Sequence, residues 1–537
     1  MEAETVVIER EAEKVAPEPE RRRPRRLPVA LGLILVLAAA VRLFRFPGTP
    51  VGLSQDEVSA GYETMSLLAA GTDRWGNRWP VYFSAFGSGQ NVLLSYLNMP
   101  FLAILGPSPL GLRLLPALLG VLSVYAAYAL TTRLAGRRAG LFAALLLAIL
   151  PWHVMMSRWS LESNMLPPVM LLAVWWLVAA YQSPRRWLLP LSLAPLALVF
   201  YAYAAATPVV IVFVVAVLAR EWRTLRARPV AGAAAVGVFG LVALPYGLFV
   251  LANQVLGSVP GWMSWLPFGI QLLPGNRIDE INAESMAGDN FLFTLHGFDD
   301  SRPWNVMDPY LPLGLIVVPL AAAGLVFALR GRFSYLIAFW LFATLPMFFL
   351  FPLNVNRINV IFLPLVILAA LGLDGIVRSM SDARAGTGVV AALLTVGLVY
   401  NGAFVLDYFE RIDRLIRLDF SSGVDGALAF AATRAAPGMP IYVTDQVPLN
   451  YLYVLFHREV DPREFRANAE YGIDDSRYFV RNYRSYYFHP DDPALAAAPV
   501  YVALFRTDEP SRCAGGGRPG FLTTVDAIRV VRCARPG

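Results

Sequence analysis

Long apolar segments separated by short polar loops dominate the first 406 residues of the chain. A helix that crosses a membrane needs about 20 consecutive apolar residues. Eleven segments approach this length, at 28–45, 112–134, 139–157, 165–182, 187–206, 207–220, 230–252, 310–330, 334–351, 358–377 and 387–406. The pattern therefore predicts an all-α polytopic membrane domain over 28–406, with about 11 transmembrane helices.

Arginine residues favour one orientation of these helices. They collect in alternate loops, as expected for loops on the cytoplasmic side, near 133–138, 185–186, 220–228, 330–332 and 378–384. This places the loops 46–111 and 253–309 on the outer side. The apolar run 91–106 contains Pro100 and has only about 16 residues. It is predicted to be re-entrant or interfacial, because a crossing there would exchange the sides of all later loops.

The two ends of the chain have other patterns. Residues 1–27 are rich in Glu, Pro and Arg, which predicts a disordered cytoplasmic tail. Residues 407–537 contain a helical segment and several short apolar strands separated by polar loops, the strands lying at 441–444, 500–505 and 528–531. This alternation predicts a small extracytoplasmic α/β domain.

Composition excludes an ordinary soluble enzyme. Hydrophobic residues make up 57% of the chain and charged residues 16%, against roughly 45–50% and 25% in soluble domains. The net charge of +6 comes from arginine-rich loops and does not indicate nucleic-acid binding. Cys513 and Cys533 are too few for a thiolate metal cluster. A disulfide between them is left open, because a separation of 20 residues does not set the distance between their Cα atoms.

The first outer loop begins with Ser54-Gln55-Asp56-Glu57. Two adjacent carboxylates near a membrane surface are costly unless they are solvated or used, so Asp56 and Glu57 are candidate catalytic residues. An alternative exists for Glu57, since Ser54 and Glu57 have the spacing of a helix capping box. Asp56 is not needed for that box.

Two further polar clusters are predicted at the same outer surface. One follows the third apolar segment and consists of His153, Arg158, Glu162 and Asn164. Its alternative interpretation is an ion pair between Arg158 and Glu162, four residues apart on a helix, with His153 in the core or at the membrane interface. The other cluster is 354–359, where Arg357 lies on the outer side against the positive-inside trend. Arginine suits a phosphate through paired hydrogen bonds, although Arg357 could instead pair with a nearby acid.

These stretches resemble the GT-C membrane glycosyltransferases, in particular the group of protein O-mannosyltransferases and aminoarabinose lipid A transferases (glycosyltransferase family thirty-nine). The likeness covers about the first 210 residues and is carried by 54–57, 113–120, 135–141, 151–158 and 162–164. Relatives commonly have a Lys-Pro-Pro-like element before the second crossing. This chain has Ser88-Gly89-Gln90-Asn91-Val92 there, with no lysine, so either an arginine replaces that role or the donor or acceptor differs. The candidate substrate contacts are His153, Asn164, Gln90 and Asn91.

The resemblance implies a GT-C-like fold and a hexosyl- or pentosyltransferase. A sugar would move with inversion from a polyprenyl-phosphate donor to a hydroxyl of an exported protein or an envelope glycolipid. Asp56 would be the general base and Glu162 a second acid at the site. Arg357, with Arg158, would bind the donor phosphate, so that neither a metal ion nor another cofactor is required.

The same hypothesis gives the expected partners and location. The partners are the lipid-linked donor, the acceptor and membrane lipids, and the location is a bacterial-type plasma membrane with a cytoplasmic N-terminus. Two alternatives differ in class. A flippase or transporter for a lipid-linked saccharide would need ionisable residues inside the crossings, which are few here. A non-catalytic envelope scaffold would act through residues 407–537.

Overall fold

A computed structural model describes residues 28–85, 89–275, 283–331, 333–350, 352–474 and 477–535. The predicted tail, residues 1–27, lies outside the described residues. The part of the chain up to Ile416 is mainly helical, and a seven-stranded sheet is formed by residues that follow it.

Helices account for most of the first 256 residues, where the only strands described are the short antiparallel pair β1 (Tyr82–Phe83) and β2 (Gln90–Asn91). The helices are α1 (Val29–Leu43), α2 (Gln55–Ala70), α3 (Leu93–Leu105), α4 (Pro109–Ala135), α5 (Arg137–Ala148), α6 (Pro151–Met156), α7 (Leu166–Gln182), α8 (Ala194–Ala197), α9 (Val199–Ala202), α10 (Thr207–Arg220), α11 (Trp222–Arg226) and α12 (Pro229–Val250). Short 3-10 helices lie at Glu162–Met165, Arg186–Leu191 and Ala204–Ala206, and a π-helix extends α12 over Leu251–Leu256.

The next region adds further helices around a long loop. They are α13 (Ala283–Leu295), α14 (Val317–Arg330), α15 (Tyr335–Ala343), α16 (Met347–Leu350), α17 (Val355–Ile358), α18 (Phe362–Ser379) and α19 (Ala383–Ile416), with 3-10 helices at Gly261–Trp265 and Asn359–Ile361. Gly324 of α14 and Gly372 of α18 let these two helices approach closely, because a Cβ at Gly324 would lie 1.8 Å from the Leu368 carbonyl oxygen.

Each of the eleven predicted segments is mainly helical in the structure. Among the described residues, five helical stretches are long and apolar enough to cross a membrane, namely Pro109–Ala135, Glu162–Gln182, Pro229–Leu256, Val355–Ser379 and Ala383–Ile416. The remaining segments form shorter helices. The polytopic helical architecture is thus supported, and the number of crossings stays a prediction.

The short helix α3 occupies the run predicted to be re-entrant or interfacial. Its 13 residues give a length of about 20 Å at 1.5 Å per residue, below the ~30 Å of a hydrocarbon core. It packs between α2 and α4. This length favours a helix that does not span the bilayer.

Helix α19 continues through the domain boundary predicted at 406/407 and ends at Ile416. Apolar composition stops near residue 406, but Asp407 and Arg411 pair at 2.6 Å one turn apart and support the helix beyond it. A loss of hydropathy therefore did not mark the end of this helix.

The C-terminal region folds around a mixed sheet. The strands are β3 (Ile441–Val443), β4 (Ala469–Asp474), β5 (Arg477–Tyr483), β6 (Tyr486–Tyr487), β7 (Val500–Arg506), β8 (Arg518–Val525) and β9 (Ile528–Ala534). Their order in the sheet is β4-β5-β6-β3-β7-β9-β8. The helices are α20 (Val424–Arg434), α21 (Asn450–His457), α22 (Pro462–Asn468) and α23 (Pro493–Ala497). Strand β3 runs parallel to β6 and β7. A small α/β unit is thus present, and its position outside the membrane stays a prediction.

A second apolar core joins this unit to α2. Val58 and Tyr62 of α2 share the core with Leu455 of α21, and all three are buried. The Tyr62 hydroxyl donates to the Val460 carbonyl oxygen at 3.1 Å. The C-terminal unit is therefore packed on the helix that carries Asp56.

Cys513 and Cys533 form a disulfide with a Cα–Cα distance of 5.7 Å. The two residues meet because β9 pairs with β7 and β8, and Cys533 on β9 faces a small apolar cluster. The structure thus answers a question that the spacing of the cysteines left open.

Candidate active site

Helix α2 begins with the capping box that the sequence predicted. The Ser54 hydroxyl oxygen accepts from the Glu57 N–H at 3.2 Å, and the Ser54 N–H donates to Glu57 Oε2 at 3.0 Å. Asp56 lies in the same first turn and is partly exposed. A negative side chain is favoured there by the helix dipole. The box therefore sets the position of Asp56 without using its carboxylate.

A buried ion pair completes the environment of Glu57. Arg113 of α4 donates from Nε to Glu57 Oε1 at 2.8 Å and from Nη2 to Oε2 at 2.9 Å. The Ser160 N–H also donates to Oε1, at 2.9 Å. Arg113 is 1% exposed and Glu57 0%. Glu57 therefore joins α2, α4 and the segment after α6, and this arrangement favours a structural role over a catalytic one.

Arg158 is buried and donates to four backbone carbonyl oxygens at the end of α1 and in the following loop. Nη1 lies 3.0 Å and 2.6 Å from the oxygens of Val41 and Arg42, and Nη2 lies 2.8 Å from those of Phe44 and Thr49. Binding a phosphate through these atoms would break hydrogen bonds that hold the loop before α2.

The alternative ion pair between Arg158 and Glu162 is also not supported by the backbone. Arg158 follows α6, whereas Glu162 begins a separate 3-10 helix, Glu162–Met165. Residues four apart face each other only on a continuous helix. The two residues therefore do not lie one turn apart on a single helix, which that interpretation had assumed.

Glu162 lies beside the element that replaces the Lys-Pro-Pro-like motif. The Asn91 N–H donates to Glu162 Oε2, and the Asn91 side chain binds the Phe200 carbonyl oxygen at 3.0 Å. Gln90 Oε1 accepts from the Ser59 hydroxyl at 2.9 Å. Because Ser59 lies on α2, three residues after Asp56, the structure brings Gln90, Asn91 and Glu162 together next to that helix.

The segment that carries Arg357 packs against the same region. Asn359 is buried, and its Nδ2 donates to the Ser163 carbonyl oxygen at 2.8 Å. Arg357 itself is half-buried on α17 and donates from Nη1 to the Pro352 carbonyl oxygen at 3.1 Å. Two sequence clusters more than 190 residues apart therefore meet through Ser163 and Asn359.

His153 and Asn164 are buried and bind other parts of the protein. Arg42 Nη2 donates to His153 Nδ1, and Asn164 Nδ2 donates to the Met156 carbonyl oxygen at 3.1 Å. These bonds hold α6 against α1 and against the Glu162–Met165 helix. Both side chains are thus bonded to other parts of the protein, and their role as substrate contacts stays a prediction.

Asp56 borders a cavity of about 170 Å³ between the helical part and the C-terminal unit. Trp159, Trp304 and Phe420 provide its aromatic lining, and Asp419 and Arg506 provide further charged groups. Partial burial raises the pKa of Asp419, and Arg506 opposes that shift. None of these five residues was predicted to be functional.

One signal for Arg506 exists in the strand order. Arg506 is the last residue of β7, which is parallel to β3, and ligands often bind beyond the carboxyl ends of parallel strands. The sequence alone did not show that these two strands are parallel neighbours. Within the described residues, no group of three or more His, Cys, Asp or Glu side chains is arranged to hold a metal ion.

This chain was compared with protein families, curated proteins and solved structures. Residues 90–246 match the family model described as dolichyl-phosphate-mannose-protein mannosyltransferase. A search of curated proteins finds no match. ArnT from Cupriavidus metallidurans in the apo state matches with a TM-score of 0.57 and 15% identity, over 94% of this chain and 97% of that chain. ArnT bound to undecaprenyl phosphate matches with a TM-score of 0.55 at the same identity and coverage.

A further match is the archaeal oligosaccharyltransferase AglB from Archaeoglobus fulgidus in complex with an inhibitory peptide and a dolichol-phosphate. It has a TM-score of 0.46 and 12% identity, over 80% of this chain and 63% of that chain. The two ArnT matches show that the chain shares the fold of ArnT. The resemblance inferred from the sequence is confirmed at this level.

Proposed function

We propose that this protein is a membrane glycosyltransferase that moves a hexosyl or pentosyl group from a polyprenyl phosphate to an acceptor hydroxyl, with Asp56 as general base. The observation that carries the proposal is the position of Asp56. It lies in the first turn of α2, next to the capping box, and borders a cavity between the helical part and the C-terminal unit. The fold shared with ArnT, which binds undecaprenyl phosphate, supports a lipid-linked donor.

The proposed step is a single displacement. The acceptor oxygen attacks C1 of the sugar, and the bond between C1 and the phosphate oxygen breaks with its electron pair leaving on the phosphate. Asp56 takes the proton of the acceptor hydroxyl as the new C1–O bond forms. Attack from the side opposite the leaving group inverts the configuration at C1.

Arg357 is the proposed contact of the leaving phosphate, since its segment packs beside Glu162 and its guanidinium is half-buried. Paired N–H donors stabilise the charge that develops on a phosphate. The hydrogen bonds of Arg158 to backbone carbonyls favour a positioning role for it, and the same holds for Glu57. Glu162 would position Asn91 and the adjoining Gln90.

The remaining assignments follow from this function. Residues 28–406 would form the membrane domain, and the helix α19 would lead to an extracytoplasmic C-terminal unit. The enzyme would lie in a bacterial-type plasma membrane and act on donors in the outer leaflet, with an exported protein or an envelope glycolipid as acceptor. The reaction would need no metal ion, because a guanidinium can meet the phosphate.

The test compares the wild type with Asp56→Asn in detergent, using undecaprenyl-phosphate mannose and undecaprenyl-phosphate arabinose as donors. Loss of a general base lowers rates by roughly 10²- to 10⁴-fold, and this is the expected loss of transfer. Glu410→Gln, at an exposed position on α19, is the matched control and should keep the wild-type rate.

Two outcomes would contradict the proposal. Equal transfer rates for the wild type and Asp56→Asn would remove Asp56 from the mechanism. Movement of labelled donor across liposomes, without hydrolysis or transfer of the sugar, would identify a transporter instead.

A further inference from the structure

The cavity beside Asp56 has walls from two parts of the chain. Trp159 and Asp56 come from the helical part, whereas Pro448 and Arg506 come from the C-terminal unit. The two parts are joined at this place, because the Leu53 N–H donates to the Phe420 carbonyl oxygen at 2.8 Å. The cavity therefore exists only when the C-terminal unit is packed on the start of α2.

Arg506 is held in a defined orientation at this wall. Nε and Nη2 donate to the two carboxylate oxygens of Asp508 at 3.0 Å and 2.7 Å, and Nη1 donates to the Gln446 carbonyl oxygen at 3.2 Å. A guanidinium has five N–H bonds, so these contacts leave one on each terminal nitrogen. Its side chain is 21% exposed, and the residue lines the cavity.

The lining combines three kinds of group that suit one class of ligand. Indole rings of Trp159 and Trp304 can pack on the C–H faces of a sugar ring. The carboxylates of Asp56 and Asp419 accept from sugar hydroxyls, and a planar guanidinium donates to two neighbouring hydroxyl oxygens. At about 170 Å³ the cavity is smaller than the ~300–1,000 Å³ of typical ligand pockets, which favours one ring over a stretch of polypeptide.

We propose that this cavity is the acceptor subsite, that it binds a saccharide ring, and that Arg506 of the C-terminal unit is a specificity-determining residue. The inference rests on the proposed glycosyltransferase function and specifies its acceptor. In this proposal the acceptor ring lies between the start of α2 and the C-terminal unit, both of which line the cavity.

The test uses the full-length protein with the two undecaprenyl-phosphate donors and separates transfer from donor hydrolysis. The acceptor probes are the methyl glycosides of mannose, glucose, galactose and arabinose, and the peptide acetyl-Ala-Thr-Ala-amide. Arg506→Gln should raise the KM for a methyl glycoside by roughly ten- to a hundredfold, as expected for loss of a charged hydrogen-bond donor. Arg506→Lys should restore part of the affinity.

Arg518→Gln is the matched control, because Arg518 is exposed on strand β8 of the same unit. If Arg506→Gln does not fold, Asp508→Asn releases the guanidinium without removing it and should raise the same KM by a smaller factor. Transfer to the peptide alone, transfer to none of the probes by an enzyme that hydrolyses donor, or an unchanged glycoside KM in Arg506→Gln would overturn the saccharide assignment. Absence of both hydrolysis and transfer in the wild type would instead count against the proposed function itself.

Discussion

Replacing Glu57 by Gln tests whether this acid supports the site or performs chemistry. The substitution keeps the shape of the side chain but leaves the Arg113 guanidinium, 1% exposed, without its counter-charge. Breaking a buried ion pair by removing one partner costs about 3–5 kcal/mol. Arg113 still donates to the Pro47 and Gly52 carbonyl oxygens at 3.0 Å and 2.7 Å, so we expect the lower end, about 3 kcal/mol of unfolding free energy.

The measurement is denaturant-induced unfolding in detergent, carried out as a double-mutant cycle. Arg113→Met should destabilise by a similar amount, because it leaves the Glu57 carboxylate buried and unpaired. The double variant should lose less than the sum, with a coupling energy between about 0.5 and 3 kcal/mol. Glu410→Gln, on the exposed face of α19, should change stability by less than about 0.5 kcal/mol.

Two results would refute this reasoning. Additive losses in the cycle would show that the pair is not coupled. A Glu57→Gln enzyme with wild-type stability and no transfer activity would establish the other interpretation left open by the sequence, in which Glu57 takes part in catalysis.

Three further predictions concern Asp73, the disulfide and the donor phosphate. Burial raises the pKa of Asp73 from 3.8 to about 7, so at a pH between these values the folded state keeps a proton that the unfolded state releases. Thermal stability should therefore fall as pH rises from about 4 to about 7. A stability difference between the wild type and Asp73→Asn that does not change with pH would contradict this. Opening the 20-residue loop between Cys513 and Cys533 with a reductant should cost about 3 kcal/mol in denaturant unfolding, and equal stability in both redox states would exclude the bond. Arg357→Gln should raise the donor KM by roughly ten- to a hundredfold in steady-state transfer assays, whereas an unchanged donor KM would remove Arg357 from the phosphate site.

The helical segments were predictable because lipid leaves the backbone no alternative. Polar backbone groups in a hydrocarbon environment must be paired within a helix or a closed barrel, so an apolar run such as 358–377 could be assigned without knowledge of its neighbours. Helix α19 extends beyond the predicted apolar segment 387–406, since hydropathy ends near 406 while the Asp407–Arg411 pair lies on the helix that runs to Ile416. Composition indicates whether a segment lies in lipid or in water, and it indicates less well where the helix ends.

Interactions between residues that are close in the sequence were predictable, whereas long-range partners were not. The capping box of Ser54 and Glu57 needs only residues three apart, and it was correctly anticipated. The partner of Glu57 was missed, because Arg113 is 56 positions away and lies in a stretch used only for the family resemblance. The spacing of Arg158 and Glu162 suggested two residues one turn apart on a helix, whereas they are separated by a break between two helices.

The amino-acid pattern was sufficient to establish a polytopic membrane protein with an acidic helix start after its first apolar segment, since hydropathy and capping depend on neighbouring residues. The groups that surround Asp56 come from parts of the chain up to hundreds of residues away, and tertiary packing brings them together. Arg506 reaches the cavity because β7 is parallel to β3 and the C-terminal core includes Tyr62 of α2. Such long-range contacts depend on how side chains fill a shared core, and no spacing along the chain encodes them.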